Sequence, residues 1–299
     1  MHKKLTLIVN PIAGGGKHQR DIIEFISEYF CQRDHEIAVK ETTGRGEATE
    51  FAQQAVDNNA DIVVAVGGDG TINEVGSGLV NTNVTMGIIP CGSGNGLARS
   101  LNIPQNLEQA CQLILEGKIC SIDVGKANER YFFLVAGVGF DAKVGKRFDD
   151  YPNRGPISYF YVGAKEFFVY KPEWVKISLN GKTFEISPFV VAVANGRQYG
   201  NGAIIAPDAK LNDGLLDISI VHQLSFFQVF GALRKLFNGE IKDFPDAEFH
   251  KSQTVLIERQ RPALVNIDGE PIWEGPVVEC CVLPKALRVF AAQDSPCLS

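Results

Sequence analysis

The 299-residue chain lacks any apolar run approaching the ~18–20 residues that a membrane-spanning helix requires. Its opening, MHKKLTLIVNP, reaches Asn10 and Pro11 too soon for the apolar core of a signal peptide, so a cytoplasmic protein is expected. No two cysteines stand in CxxC spacing, and the seven present (Cys31, Cys91, Cys111, Cys120, Cys280, Cys281 and Cys297) are odd in number. Reduced thiols that mostly serve packing are the expectation. The five histidines are scattered without ligand spacing, which leaves no zinc site to predict. Basic residues are in deficit as well: 29 Lys and Arg face 35 Asp and Glu, for a formal charge of -6. That balance excludes nucleic acid as the main partner, because a phosphate backbone calls for a basic surface. Small phosphorylated ligands remain compatible with it.

What is present is ordinary globular material, 45% hydrophobic and 21% charged, in a chain longer than the usual single domain of roughly 100–150 residues. From Leu5 to Val124 short apolar runs alternate with helical periodicity. Strands are predicted at Leu5–Val9, Glu36–Thr42, Asp61–Val66 and Val84–Ile89, and helices at Asp21–Arg33, Glu47–Asn58 and Ile72–Leu79. That order implies parallel βαβ units with helices on both faces of the sheet, so residues 1–125 read as an α/β domain. Residues 126–299 read as a second, mostly antiparallel β domain. Its predicted strands are Tyr131–Val138, Trp174–Leu179, Lys182–Ile186, Phe189–Ala194, Leu215–Val221, Gln253–Glu258, Ala263–Ile267, Val277–Leu283 and Ala286–Phe290. Asn180-Gly181 is a two-residue hairpin signal, and one helix opens at Ser225, with Gln228 completing a capping box, and closes near Gly239.

Three glycine-rich segments follow predicted strands of the first domain, where α/β sheets bind their ligands. The first is Asn10-Pro11-Ile12-Ala13-Gly14-Gly15-Gly16-Lys17, which brings backbone amides and a helix N-terminus toward an anion but lacks the spacing of a Walker A loop. The second, Gly67-Gly68-Asp69-Gly70-Thr71-Ile72-Asn73-Glu74, sets a carboxylate beside such amides, where it could hold a nucleotide's metal, accept a proton or cap the helix. In the third, Pro90 to Arg99, Ser93 and Asn95 are candidate donors to phosphate or ribose. In the β domain, Asp213 of PDAKLNDGLLD is a candidate cation ligand, alternatively a plain turn residue. Asp268 and Glu270 of VNIDGEP are candidate catalytic carboxylates, with Glu270 as general base and an Asp-Gly hairpin turn as the alternative.

NPIAGGGK, TTGRGEA, GGDGTINEV, GSGNGLAR, DGLLD and IDGEP stand in the order seen in the diacylglycerol kinase catalytic family, and the chain resembles its soluble bacterial lipid kinases from Asn10 to about Pro271. It is also similar to the sphingosine and ceramide kinases, which carry a small residue where this chain has Gly96 and many bacterial relatives have Asp. The resemblance implies a kinase-like α/β domain, a β-sandwich acceptor domain, and a reaction that moves the γ-phosphoryl of ATP to a primary hydroxyl of a lipid. It implies an ATP site formed by Asn10 to Gly14, Lys17, Thr42, Gly68 to Glu74 and Ser93. It further implies Mg²⁺, a metal held by Asp213 with the carbonyls of Lys210 and Leu215, and Glu270 as proton acceptor, with Asp69 on the nucleotide's Mg²⁺ or exchanging roles with Glu270. Two rivals stay open, a kinase of a soluble acceptor such as NAD and a non-catalytic nucleotide-binding protein.

A lipid acceptor implies a transient membrane surface as partner and a peripheral location, with homodimerisation left as an alternative. Two segments are rich enough in aromatics to serve, or to form core. One runs from Phe148 to Trp174 and holds Tyr151, Tyr159, Phe160, Tyr161, Phe167, Phe168 and Tyr170; the other is the helix after Ser225, with Phe226, Phe227, Phe230 and Phe237 beside Arg234 and Lys235.

Overall fold

The structure, a computed structural model, describes residues 2–13, 19–149, 169–200 and 202–298. In chain order the elements are β1 (Lys4–Val9), α1 (Gln19–Cys31), β2 (Glu36–Glu41), α2 (Glu47–Asp57), β3 (Ile62–Gly67), α3 (Asp69–Leu79), β4 (Thr85–Pro90), α4 (Gly96–Ser100), α5 (Leu107–Glu116) and β5 (Lys118–Ala127). There follow β6 (Arg130–Phe132), β7 (Val135–Gly139), α6 (Phe140–Asp149), β8 (Val175–Leu179), β9 (Lys182–Ile186), β10 (Val190–Ala194), β11 (Leu216–Val221), α7 (Phe226–Asn238), β12 (Ala247–Ser252), β13 (Thr254–Arg259), β14 (Ala263–Ile267), β15 (Glu270–Glu274) and β16 (Val277–Ala291). Two compact units result. The first comprises Met1–Val124, Leu211–Asp213 and Pro284–Ser299; the second, Gly125–Lys210 and Gly214–Leu283. A single division at residue 125 therefore describes only the first passage of the chain, since Leu211–Asp213 and the C-terminal segment also belong to the first unit.

In the first unit β2, β1, β3 and β4 lie side by side, all parallel. Residues of β1, β3 and β4 are buried on both faces, as the unbroken apolar runs LTLIV, IVVAV and MGII require, whereas the edge strand β2 is largely exposed. α2 crosses α3 closely: a Cβ on Gly78 would stand 2.7 Å from Ala52 Cβ, so only glycine admits this approach. Cys111, buried on α5, has its thiol pushed up to about 12 by desolvation, which keeps it a protonated packing residue.

The second unit is a β-sandwich. Among the described residues, one sheet runs β12-β11-β10-β7-β14-β15, antiparallel throughout. The other contains β8, β9, β13 and the first half of β16, also antiparallel. Alternate residues such as Ile177, Val193, Ile218, Ile257, Val265 and Cys280 meet in one hydrophobic cluster between the sheets. The hairpin predicted at Asn180-Gly181 is present, both residues having positive φ (50° and 73°), as a two-residue primed turn demands. The predicted helix from Ser225 to Gly239 is present too: Gln228 Oε1 accepts the Ser225 amide at 2.8 Å, and Gly239 closes the helix at φ 74°.

Several predicted elements differ. The strand expected over Tyr131–Val138 is broken into β6 and β7, because the amides of Phe133, Leu134 and Val135 turn to the Asp268 carboxylate instead of a neighbouring strand. The two strands expected at Val277–Leu283 and Ala286–Phe290 are one, β16, which passes through Pro284; Lys285 takes φ 52° there and gives its amide to the buried Asp123 carboxylate. α3 begins at Asp69 rather than Ile72, and α6 is a helix that apolar periodicity does not announce. β5, β12 and β15 were not predicted as strands either.

Candidate active site

The parallel register of β1, β3 and β4 pairs Val9 with Val66 and Gly67 with Pro90, so the turns after these strands leave from one edge of the sheet. The Asn10 amide donates to Val66 O at 3.1 Å, the Cys91 amide to Gly67 O at 2.8 Å and the Thr42 amide to Val9 O at 2.9 Å, which starts four segments from neighbouring strand ends. In the first, Asn10 Oδ1 accepts the Ile12 amide at 3.1 Å and Asn10 O accepts the Ala13 amide at 3.2 Å, a turn stiffened by Pro11 that leaves the Ile12 side chain 80% exposed. Gly14 and Lys17 lie outside the described residues.

Asp69 occupies the first turn of α3, behind Gly68 as the N-cap, and it does not cap its own helix. Its carboxylate reaches the third glycine segment: Oδ2 accepts the Asn95 amide at 2.9 Å and Oδ1 accepts the Gly96 amide at 2.6 Å, so it binds the N-terminus of α4. The two segments press together. A Cβ on Gly94 would stand 2.4 Å from Asp69 Oδ2, and one on Gly92 would stand 2.7 Å from Gly68 Cα. Gly92 and Gly94 are therefore what allow the carboxylate to reach its two amides.

Asn95, predicted as a phosphate or ribose donor, is 2% exposed and holds φ 51°. Its side chain serves the loop instead: Nδ2 donates to Gly92 O and to Gln105 Oε1, both at 2.7 Å, while Oδ1 accepts the Gly92 amide at 3.0 Å. A side chain so engaged shapes the loop that carries Ser93. Arg99 Nε likewise donates to Gly94 O at 2.8 Å. Glu74, also predicted at the nucleotide, accepts the Gly46 amide at 2.9 Å and the Ala48 amide at 3.2 Å, anchoring the start of α2. Thr42 is buried with its hydroxyl on Val9 O, and Thr71 and Ile72 are buried in α3. Asn73 Oδ1 accepts the Ser77 hydroxyl at 3.4 Å. Among the described residues predicted at the nucleotide, Ile12, Gly70 and Ser93 are exposed, and a Cβ on Gly70 would meet open space.

One contributor escaped the sequence reading. Glu47 gathers the Thr43 amide (2.6 Å), the Thr43 hydroxyl (2.8 Å) and the Gly44 amide (3.3 Å), which shapes the TTGRG turn. The Thr43 amide, then its hydroxyl, holds the Glu47 carboxyl below the usual carboxylate range. The signal was available as Thr43 and Glu47 four residues apart at a helix start.

In the second unit, Asp268 (φ 47°) and Gly269 (φ 93°) form the two-residue turn between β14 and β15. The Asp268 carboxylate accepts the amides of Phe133 (2.7 Å), Leu134 (2.9 Å) and Val135 (3.0 Å). Asp268, predicted as a catalytic carboxylate, thus holds the backbone through these three bonds. Glu270, the first residue of β15, is exposed. Of the three aspartates in PDAKLNDGLLD, Asp208 pairs with Lys242 and Asp217 with Lys251 (3.0 Å), while Asp213 is exposed beside Gly214 at φ 72°. Among the described residues no group of three or more His, Cys, Asp or Glu side chains could hold a metal ion. A cation at the Asp213 turn would accordingly take one carboxylate plus main-chain carbonyls such as those of Lys210 and Leu215, an all-oxygen donor set of the kind Mg²⁺ accepts.

Residues 4–127 match the family described as the diacylglycerol kinase catalytic domain, and residues 134–291 match the YegS C-terminal NAD kinase beta sandwich-like domain. The chain belongs to the diacylglycerol kinase and YegS-like lipid kinase family. Similar members include the diacylglycerol kinase of Bacillus subtilis (strain 168), 30% identical over 278 residues, 90% of each chain. A protein of Enterobacter sp. (strain 638) named "Probable lipid kinase YegS-like" is 31% identical over 98% of this chain and 97% of its own. The crystal structure of a diacylglycerol kinase from Bacillus anthracis str. Sterne superposes with a TM-score of 0.75 at 25% identity, covering 97% of both chains. Membership in this lipid kinase family makes the chain a kinase of a lipid-like acceptor.

Proposed function

We propose that the chain transfers the γ-phosphoryl group of ATP to a primary hydroxyl of a membrane lipid such as diacylglycerol or a sphingoid lipid. The observation that carries this reading is the set of glycine turns on one edge of the parallel sheet, the second and third joined by Asp69. Phosphoryl transfer depends on positioning and on neutralising oxygen charge far more than on covalent help. Main-chain amides of the Gly68–Gly70 turn, with Ser93 and Lys17, hold the phosphates, and the Asn10–Gly14 turn borders the nucleotide. Asp69 keeps the third turn against the second, so those donors are fixed before the nucleotide arrives. Glu270 takes the proton of the acceptor hydroxyl as the new P–O bond forms. Mg²⁺, when bound, screens the charge on the transferring phosphate. Asp213, with the carbonyls of Lys210 and Leu215, supplies a cation site in the loop before β11.

The rival reading, a kinase of NAD, shares the GGDGT segment and predicts a different labelled product. Incubation with γ-labelled ATP and, separately, diacylglycerol, ceramide, a sphingoid base, undecaprenol and NAD tests it. A labelled lipid is expected. Label in NAD alone, or in no acceptor, would refute the proposal.

A further inference from the structure

Helix α7 turns the usual arrangement inside out. None of its 13 residues is buried, and the side that packs down carries Gln228, Val229, Ala232, Lys235 and Leu236, all half-buried. Its opposite side is aromatic and faces outward, with Phe227 83%, Phe230 59%, Phe237 44% and Phe226 40% exposed. At about 100° per residue, Phe226, Phe230 and Phe237 fall within roughly 40° of one another on the helix, with Phe227 and Arg234 along one border. The Phe226 ring meets those of Phe230 (5.2 Å) and Phe227 (5.7 Å) edge-on, giving a continuous apolar ridge rather than scattered exposed side chains.

Charge identifies what this ridge fits. α7 contains Arg234 and Lys235 and no acidic residue, in a chain of net charge -6. Asp246 accepts Gln228 Nε2 at 2.7 Å on the packed side, and Lys242 is paired with Asp208. An aromatic ridge bordered by a guanidinium suits a surface with an apolar interior and anionic headgroups. A second copy docked through the same face would set Arg234 near its own equivalent, in a molecule already negative overall. Among the described residues no helix is long and apolar enough to cross a bilayer.

We propose that α7 docks the protein on anionic bilayers, inserting Phe227 and Phe230 at the headgroup boundary while Arg234 pairs with lipid phosphate. This rests on the lipid kinase reading above. Flotation of the full chain with vesicles of mixed phosphatidylglycerol and phosphatidylcholine, and with phosphatidylcholine alone, tests it. The intact chain binds the anionic vesicles; the Phe227→Ser/Phe230→Ser double variant loses about tenfold or more of that binding, since each exposed ring contributes a large apolar area. Arg234→Glu, a change on an exposed side chain, lowers binding to the anionic vesicles severalfold and leaves the neutral ones unaffected. Wild-type binding by both variants overturns the proposal. So does a double variant that binds vesicles normally but shifts from dimer to monomer in sedimentation, which would mean that a second copy covers the ridge. Label transfer to a water-soluble short-chain diacylglycerol by the intact chain separates the two claims. Vesicle binding without transfer refutes the kinase reading alone, and transfer without vesicle binding refutes the docking alone.

Discussion

Asp69-Gly70 and Asp268-Gly269 are the same dipeptide, and both aspartates direct their carboxylates at backbone amides of a distant segment. In the first unit Asp69 opens a helix and holds two amides at the end of a glycine turn. In the second, Asp268 sits in a hairpin turn and holds three amides where a strand breaks. The element decides the outcome. At a helix start beside other glycine turns, the carboxylate joins one turn to the next; in a sandwich hairpin it takes the place of a missing ladder. Under the proposed function Asp69 orders the nucleotide's turns, while the bonds of Asp268 hold the backbone.

Substitutions can break that contrast. The largest effect is expected at Glu270: Glu270→Gln should lower turnover by about 10²- to 10⁴-fold, the range for losing a general base, with the melting temperature unchanged. Melting that falls along with activity would make Glu270 a structural residue like Asp268. Next comes Asp268→Ala, which strands three amides and should reduce stability by about 2–4 kcal/mol in chemical denaturation. A loss under ~0.5 kcal/mol would contradict the backbone-holding role of Asp268. Gly94→Ala drives a Cβ toward Asp69 Oδ2 and should cost about tenfold in turnover with roughly 1 kcal/mol in stability, read from paired kinetics and melting. Unchanged kinetics there would show that the two turns need not touch.

The smallest effect concerns pH. The Glu47 carboxyl is depressed by the Thr43 amide, so its contribution is present above the ordinary carboxyl value of ~4.3 and is lost as pH falls through the lower folded value. Wild type and Glu47→Gln should therefore differ slightly in stability near neutrality and converge in acid. A gap that widens on acidification would contradict the assignment.

The glycine turns were legible because each follows an apolar strand, and the βαβ order then places them on one edge. Their internal wiring was not. Asp69 meets its partners 26 and 27 residues along the chain, and Asp268 meets Phe133 across 135, separations that no local spacing encodes. The run YFFLVAGV reads as one strand because its apolar pattern is continuous, and only the distant Asp268 carboxylate explains the break. Residue type marked Asn95 as a donor, but its bonds within the loop, to Gly92 and Gln105, are not encoded in the local spacing. Periodicity found α7 yet could not say which face packs; the aromatic face is the outer one. The aromatic residues Tyr151 to Phe168 lie outside the described residues.

The most direct test of the site is phosphoryl transfer to diacylglycerol by Asp69→Asn. The amide group of asparagine offers one acceptor oxygen where the carboxylate offers two, so the Asn95 and Gly96 amides can no longer both be held. The variant should fold, with melting close to wild type, and transfer phosphate at least about 100-fold more slowly, because fixed donors supply most of the catalysis. Near-normal turnover by the folded variant would contradict the assignment of the glycine turns as the nucleotide site.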